Sequence, residues 1–406
     1  MLRRFLPICP LLLALSLTGC LAMPAAAPVA GLPMAKPSAA DGTGAASPAT
    51  PDTGGYASGH GAPQQAAPLR AGDVDDNADF PAYLRYLGDF RGSGVRPLNV
   101  SERIVIQVRD AAQKGVPDAE VRVKAGFTTL WQGRTASDGR LLFFPQRDAA
   151  SADQQRYTLE VHKGQETITQ EQERSSTTWN ASLTQTVDRS QSTNLDLLFV
   201  IDATGSMGDE ISRLQSTLQT VAQRVRELNG NHRVRFGLVS YRDHGDSERT
   251  NLVPFTETLG DFQTRLNQLQ ADGGGDYAED LEAGLDLAMR EPAWSSEGAT
   301  RLAFVIADAP PHIDYQGSPA YGDSIRLAVQ KGIKLYTLGA SGLDATGEYV
   351  FRQLAQQTLA KYLFLTYGGE PGPGGSVSAT VGGFQENNLD DLIVGIVKQE
   401  LAPLQP

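Results

Sequence analysis

The chain has 406 residues, 20% of them charged and 40% hydrophobic, with 42 glycines and a formal net charge of −12. That length exceeds what one ordinary core covers and implies two or three domains. The negative balance excludes an electrostatic grip on nucleic acid or anionic lipid, and it suits a cation or a basic or metal-bridged partner.

In chain order, Arg3 and Arg4 form a positive n-region before an apolar stretch from Leu11 to Leu17. That stretch is too short to span a bilayer and reads as a signal peptide over residues 1–19. It ends in Leu17-Thr18-Gly19-Cys20, which resembles the lipobox of bacterial lipoproteins. The resemblance implies removal of the signal, acylation at Cys20 and a cell-envelope location. Leu21 in place of an aspartate implies, by similarity to enterobacterial sorting, the outer membrane. Several acyl chains would anchor the protein stably where one binds only marginally. The other cysteine, Cys9, falls inside the discarded signal, so the mature chain forms no internal disulfide and depends on its cores for stability.

Residues 20–72 are rich in Ala, Pro, Gly and Ser and read as a disordered tether, because they cannot bury enough surface to offset their ordering entropy. Residues 73–94 read as a short helical linker with a helix near Phe80–Phe90. The acidic run Asp73, Asp75, Asp76 and Asp79 lacks the glycine and closing glutamate of an EF-hand loop, and reads as a solvated helix entrance. Residues 95–187 then alternate in short strands (Ile104–Val108, Val121–Val123, Leu141–Phe144 and Tyr157–Val161) and predict a small all-β sandwich. Its segments G-V-P-D-A-E-V and T-A-S-D-G-R resemble the carboxypeptidase regulatory-like or transthyretin-like module, which implies a spacer without a catalytic cluster.

From residue 194 to 402 the pattern changes to alternating strand and helix. Leu195–Ile201 is an apolar run expected of a strand buried on both faces. Ile211, Leu214, Leu218, Val221, Val225 and Leu228 then recur at helical spacing. Further strands are expected at Val234–Ser240, Leu302–Ala307, Ile333–Leu338 and Tyr362–Leu365, with helices near 260–270, 277–290, 320–331, 347–360 and 389–401. This predicts a doubly wound α/β domain with a mainly parallel sheet.

Ligands of such sheets bind beyond the carboxyl ends of the strands. The first strand runs into Asp202-Ala203-Thr204-Gly205-Ser206-Met207, a later one into Asp308, and a loop Gly273-Gly274-Gly275-Asp276 opens a helix. Convergence of Asp202, Asp276 and Asp308 would demand protonation or a cation. With the Thr204 and Ser206 hydroxyls, the all-oxygen set suits Mg²⁺ first, and also Mn²⁺ or Ca²⁺. D-A-T-G-S-M is similar to the D-x-S-x-S motif of the metal-ion-dependent adhesion site of von Willebrand factor A domains. The resemblance implies that Thr204 and Ser206 ligate the metal directly, and that Asp202 and Asp308 hold it directly or through water. Asp276 stands where the family usually has threonine. Together with Tyr241-Arg242-Asp243-His244 and Ala309-Pro310-Pro311-His312, it resembles the branch found beside alpha-kinases and in hemicentin-like proteins. The extra carboxylate would weaken the metal's pull on an acidic residue of a protein partner. His244 and His312 read as hydrogen-bonding or solvent-facing loop residues, Tyr277 and Tyr315 as rim aromatics, and Arg242 with Asp243 as a local pair.

No H-E-x-x-H, G-x-S-x-G or Walker A motif occurs. Gly322-Asp323-Ser324 lies at a helix start without the surroundings of an esterase nucleophile. The sequence therefore reads as a metal-dependent binding protein and not an enzyme. The alternatives are a structural lipoprotein whose metal only stabilises its loops and, more weakly, a hydrolase.

Overall fold

The computed structural model describes residues 68–148, 153–191, 194–228, 233–317, 319–366 and 384–404. The signal segment, Cys20 and residues 20–67 of the expected tether lie outside them.

The described chain opens with strand β1 (Arg70–Val74) and helix α1 (Phe80–Asp89). Next come β2 (Ile104–Arg109), β3 (Glu120–Ala125), β4 (Thr128–Arg134), β5 (Arg140–Phe143), a single turn α2 (Pro145–Asp148), β6 (Arg156–Lys163), β7 (Glu166–Glu173) and β8 (Thr178–Ser182). The α/β part comprises β9 (Asn194–Asp202), α3 (Gly208–Leu228), β10 (Arg233–Tyr241), β11 (Thr250–Thr256), α4 (Leu259–Asn267), α5 (Leu281–Arg290) and β12 (Ala299–Ala307). It ends with α6 (Tyr321–Lys331), β13 (Ile333–Gly339), α7 (Ala345–Gln357), β14 (Tyr362–Thr366), the short β15 (Asn387–Asn388) and α8 (Leu389–Leu401). Among the described residues no helix is long and apolar enough to cross a membrane.

One eight-stranded sheet runs in the order β11-β10-β9-β12-β13-β14-β1-β15. Strands β10, β9, β12, β13 and β14 are parallel, while β11 and β1 flank them antiparallel. The central β9 is buried along nearly its whole length, and its side chains alternate between two cores. Leu198 and Val200 join the core covered by α5, α6 and α7, whereas Leu197, Phe199 and Ile201 join the core covered by α3, α4 and α8. Coverage on both faces is what lets a parallel strand be apolar throughout.

Strand β1 corrects the expected tether and linker boundaries at residues 72 and 73. It pairs with β14 from Arg70↔Thr366 to Val74↔Tyr362, so the α/β sheet borrows a strand from before the β region. The acidic run after it is also not simply solvated. Asp76 is buried against Arg352, and each side chain is only 5% exposed. Asp73 pairs with Lys361 at 2.8 Å, and Asp79 caps α1 by accepting from the Ala82 N–H at 3.0 Å.

Strands β2 to β8 form two sheets, β5-β2-β8 and β4-β3-β6-β7. Trp131, Phe143, Tyr157 and Trp179, drawn from both, meet with ring centroids 5.5–5.6 Å apart. This β region docks at the amino ends of the parallel strands. Asp118 pairs with Arg301 of β12 at 3.0 Å and accepts from the Gly298 N–H, while Ser137 donates to Glu400, the partner of Lys334 in β13.

Candidate metal centre

Three loops meet at the carboxyl ends of β9 and β12, and backbone hydrogen bonds tie them together. The Gly205 N–H donates to the Gly273 carbonyl at 3.2 Å, and Asp272 N–H donates to the Ala203 carbonyl at 3.0 Å. On the other side the Glu279 N–H donates to the Pro310 carbonyl at 3.0 Å, and His312 N–H returns to the Glu279 carbonyl at 2.9 Å. Gly273 and Gly274 take φ of +76° and +77°, where other residues are strained. A Cβ on Gly274 would lie 2.8 Å from Glu279 Oε1 and 3.3 Å from Thr204 Cβ, so this glycine also permits the close approach of loop to loop.

Asp202 is fully buried at the end of β9. Its Oδ1 accepts from the Thr204 N–H at 2.9 Å and from Thr204 Oγ1 at 2.7 Å, and Thr204 Oγ1 lies 3.2 Å from Ser206 Oγ. Asp308, 5% exposed, and Glu279, 3% exposed, complete an acidic trio. Each of the three carries a buried oxygen (Asp202 Oδ2, Glu279 Oε2, Asp308 Oδ1) with no donor within hydrogen-bond distance among the described residues, and the nearby Tyr241 hydroxyl, itself unpaired, only lowers the Asp202 carboxyl weakly. Burial, and then the charge of Asp308, push the Asp202 carboxyl up to about 7 against the pull of Thr204. Burial, then Asp202 and Asp243, push Glu279 up to about 9. Burial likewise raises Asp308, although the Ser206 hydroxyl pulls the other way.

Buried carboxylate oxygens without donors are costly, and the nearby like charges that raise Asp202 and Glu279 aggravate the cost. A divalent cation removes both penalties at once. Asp202 and Asp308 with the Thr204 and Ser206 hydroxyls, and Glu279 close by, offer oxygen donors only, the chemistry preferred by Mg²⁺, Mn²⁺ and Ca²⁺.

The structure brings Asp202, Thr204, Ser206 and Asp308 into one neighbourhood but places Asp276 elsewhere. The Asp276 side chain is 68% exposed and turns to His312 Nε2, 3.2 Å away. Glu279, three residues on, supplies the third carboxylate, because its backbone is bridged to Pro311 and held over Thr204. The sequence signal for Glu279 was masked. It precedes Asp280, which caps α5 by accepting from the Ala283 N–H at 3.1 Å, and paired acids at a helix start read as complements to the helix dipole.

The rim departs from expectation in one further respect. Arg242 does not pair with Asp243; it donates to the Ala203 and Gln270 carbonyls, both at 3.1 Å, and braces the site loops. Tyr315 donates to Asp243 Oδ1 at 2.7 Å, stacks on His312 with centroids 4.2 Å apart, and meets His244 edge-on at 4.9 Å. Tyr277 donates to the Gly342 carbonyl at 2.6 Å and accepts from the Asp344 N–H at 2.9 Å, linking the glycine-rich loop to the turn after β13. Ser324 is fully buried within α6, an unsuitable position for a nucleophile.

Residues 196–361 match the family of von Willebrand factor A domains. Among curated proteins, the chain is 30% identical over 158 residues to alpha-protein kinase vwkA of Dictyostelium discoideum, covering 39% of this chain and 25% of that protein. It is 31% identical over 122 residues to the putative ariadne-like RING finger protein R811 of Acanthamoeba polyphaga mimivirus, covering 29% and 11%. The chain thus spans a quarter or less of these relatives' length. Similar solved structures include BatB from Bacteroides thetaiotaomicron, with TM-score 0.35 and 14% identity over 52% of this chain and 98% of that one. Proximal thread matrix protein 1 of the mussel byssus gives TM-score 0.35 and 13% identity over 55% and 54%.

Proposed function

We propose that this chain, whose residues 196–361 form a von Willebrand factor A domain, is an exported, lipid-anchored envelope protein that binds a protein partner in a divalent-metal-dependent way. Mg²⁺ is the assigned cation, and the role is binding, not catalysis. The observation that carries the reading is the trio of buried carboxylates, each with an oxygen lacking a donor, beside two hydroxyls. Asp202, Glu279 and Asp308 would hold the ion with Thr204 and Ser206, and the ion would supply positive charge toward an anionic group of a partner. Acylation at Cys20 would fix the protein to the outer membrane, with the β region as a spacer similar to carboxypeptidase regulatory-like modules. Palmitate labelling that persists in Cys20→Ser would remove the anchor from this account.

A second reading, a structural lipoprotein whose metal only rigidifies the loops, draws on the same trio. Three carboxylates around a divalent ion leave one net negative charge, which weakens its attraction for a partner's acidic residue. Calorimetric titration of Mg²⁺, Mn²⁺ and Ca²⁺ into the metal-stripped full chain, beside Asp202→Asn, tests the site. Saturable binding lost in the variant supports it, and equal binding in both removes it. Partner binding that is insensitive to chelator would favour the structural reading.

A further inference from the structure

We propose a second metal site on the rim, formed by Asp243, Asp276 and His312 and suited to a borderline ion such as Zn²⁺ or Co²⁺. One ligand atom from each residue lies within 4.8 Å of the others, and the three come from different loops, after β10, before α5 and after β12. None of them belongs to the Asp202, Glu279 and Asp308 trio.

The imidazole is the informative group. Its Nδ1 lies 2.8 Å from Asp314 Oδ1, and its Nε2 lies 3.2 Å from Asp276 Oδ1. A neutral ring has one N–H, and the tautomer that sets it on Nδ1, toward the nearer Asp314, leaves Nε2 as an acceptor. The Nε2 lone pair then faces carboxylates, an arrangement that needs a proton or a metal ion between them. A proton on Nε2 is shared with one acceptor in line, whereas a metal ion touches Asp243, Asp276 and the ring together. An imidazole whose far nitrogen donates to a carboxylate is also the usual support for a metal-bound histidine. Tyr315 supplies the remaining preorganisation, holding Asp243 Oδ1 at 2.7 Å while its ring stacks on His312. Asp243 is 6% exposed, so its ligand position is set before any ion arrives. One nitrogen and two carboxylate oxygens suit Zn²⁺ or Co²⁺ better than Mg²⁺ or Ca²⁺, and so separate this site from the all-oxygen centre.

The test is Zn²⁺ calorimetry on the metal-stripped full chain in saturating Mg²⁺, with Co²⁺ visible spectra as a second readout. The expected result is one Zn²⁺ site that survives Asp202→Asn. His312→Gln should weaken it by about 100-fold or more, and Asp314→Ala by about 10-fold to 100-fold through loss of ring support. Zn²⁺ affinity unchanged in His312→Gln overturns the proposal. So does Zn²⁺ binding lost in Asp202→Asn but kept in His312→Gln, which would assign the ion to the first centre alone. Nitrogen chemical shifts showing both His312 ring protons retained at saturating Zn²⁺ overturn it as well, since they identify an imidazolium bridge.

Discussion

The two ends of the same central sheet treat buried charge in opposite ways. At the amino ends of the parallel strands, Asp196, Arg301 and Lys334 each meet a counter-charge within the chain. Asp196 of β9 accepts from Arg235 Nε and Nη2, both at 2.8 Å, and from the Ser295 N–H at 2.7 Å. Arg301 of β12 meets Asp118, and Lys334 of β13 meets Glu400. At the carboxyl ends of β9 and β12, Asp202 and Asp308 are buried beside Glu279, each with an oxygen lacking a donor. The amino end is arranged for docking the β region, and the carboxyl end leaves these acids without a counter-charge from the described residues. Compensation inside the chain marks a stability element, and its absence marks a site.

The largest expected effect breaks that comparison at the paired end. Asp118→Ala would leave Arg301 buried without its carboxylate, and should cost about 3–5 kcal/mol by urea unfolding. Asp202→Asn in metal-free protein, by contrast, should leave the unfolding midpoint unchanged or higher, because it relieves repulsion. Deleting residues 1–79 removes β1 and strips Asp76 from buried Arg352, so a loss of about 3 kcal/mol is expected in the same assay. A wild-type-like midpoint would make β1 dispensable to the sheet.

Mg²⁺ at 100 times its Kd should stabilise the wild type by about 2.7 kcal/mol and leave Asp202→Asn unaffected, read as a shift in thermal midpoint. Asp276→Asn should change Mg²⁺ affinity by less than about tenfold, or about 1.4 kcal/mol, because its side chain points to the rim. A loss equal to that of Asp202→Asn would return Asp276 to the first site.

The smallest effect concerns a paired charge in the β region. The Arg174 fork, at 2.8 and 2.7 Å, holds the Glu102 carboxyl below the usual glutamate range. Its folded value is depressed, so its stabilising contribution is complete above the unfolded value of about 4.3 and fades as pH falls through the folded value. Glu102→Gln should therefore make the acid limb of a stability–pH curve shallower, with little change in shape above pH 5.

Local order in the chain made much of this legible. An apolar run such as Leu195–Ile201 reads as a strand covered on both sides because burial needs no partner's identity. The loop from Asp202 to Ser206 reads as a ligand loop because its oxygens sit within five residues of one another. Strand β1 was not legible, since Arg70-Ala71-Gly72-Asp73-Val74 has little apolar pattern and pairs with residues nearly 300 positions away. Gly72 serves there because a Cβ would lie 2.6 Å from the Phe364 ring of β14 and 2.7 Å from the Phe384 ring, a requirement set by residues far along the chain.

By itself, then, the sequence determined the strand and helix alternation, the oxygen-rich loop after β9 and the acid at the end of β12, all features of contiguous residues. Only the tertiary structure decided which acid of the glycine-rich loop faces Thr204. Gly273 and Gly274, both at positive φ, bring the loop against Thr204, and a backbone bridge to Pro311 fixes Glu279 beside it. It also decided which charges are compensated, because Asp118 and Arg301 lie 183 residues apart and meet only when the two parts of the chain fold together.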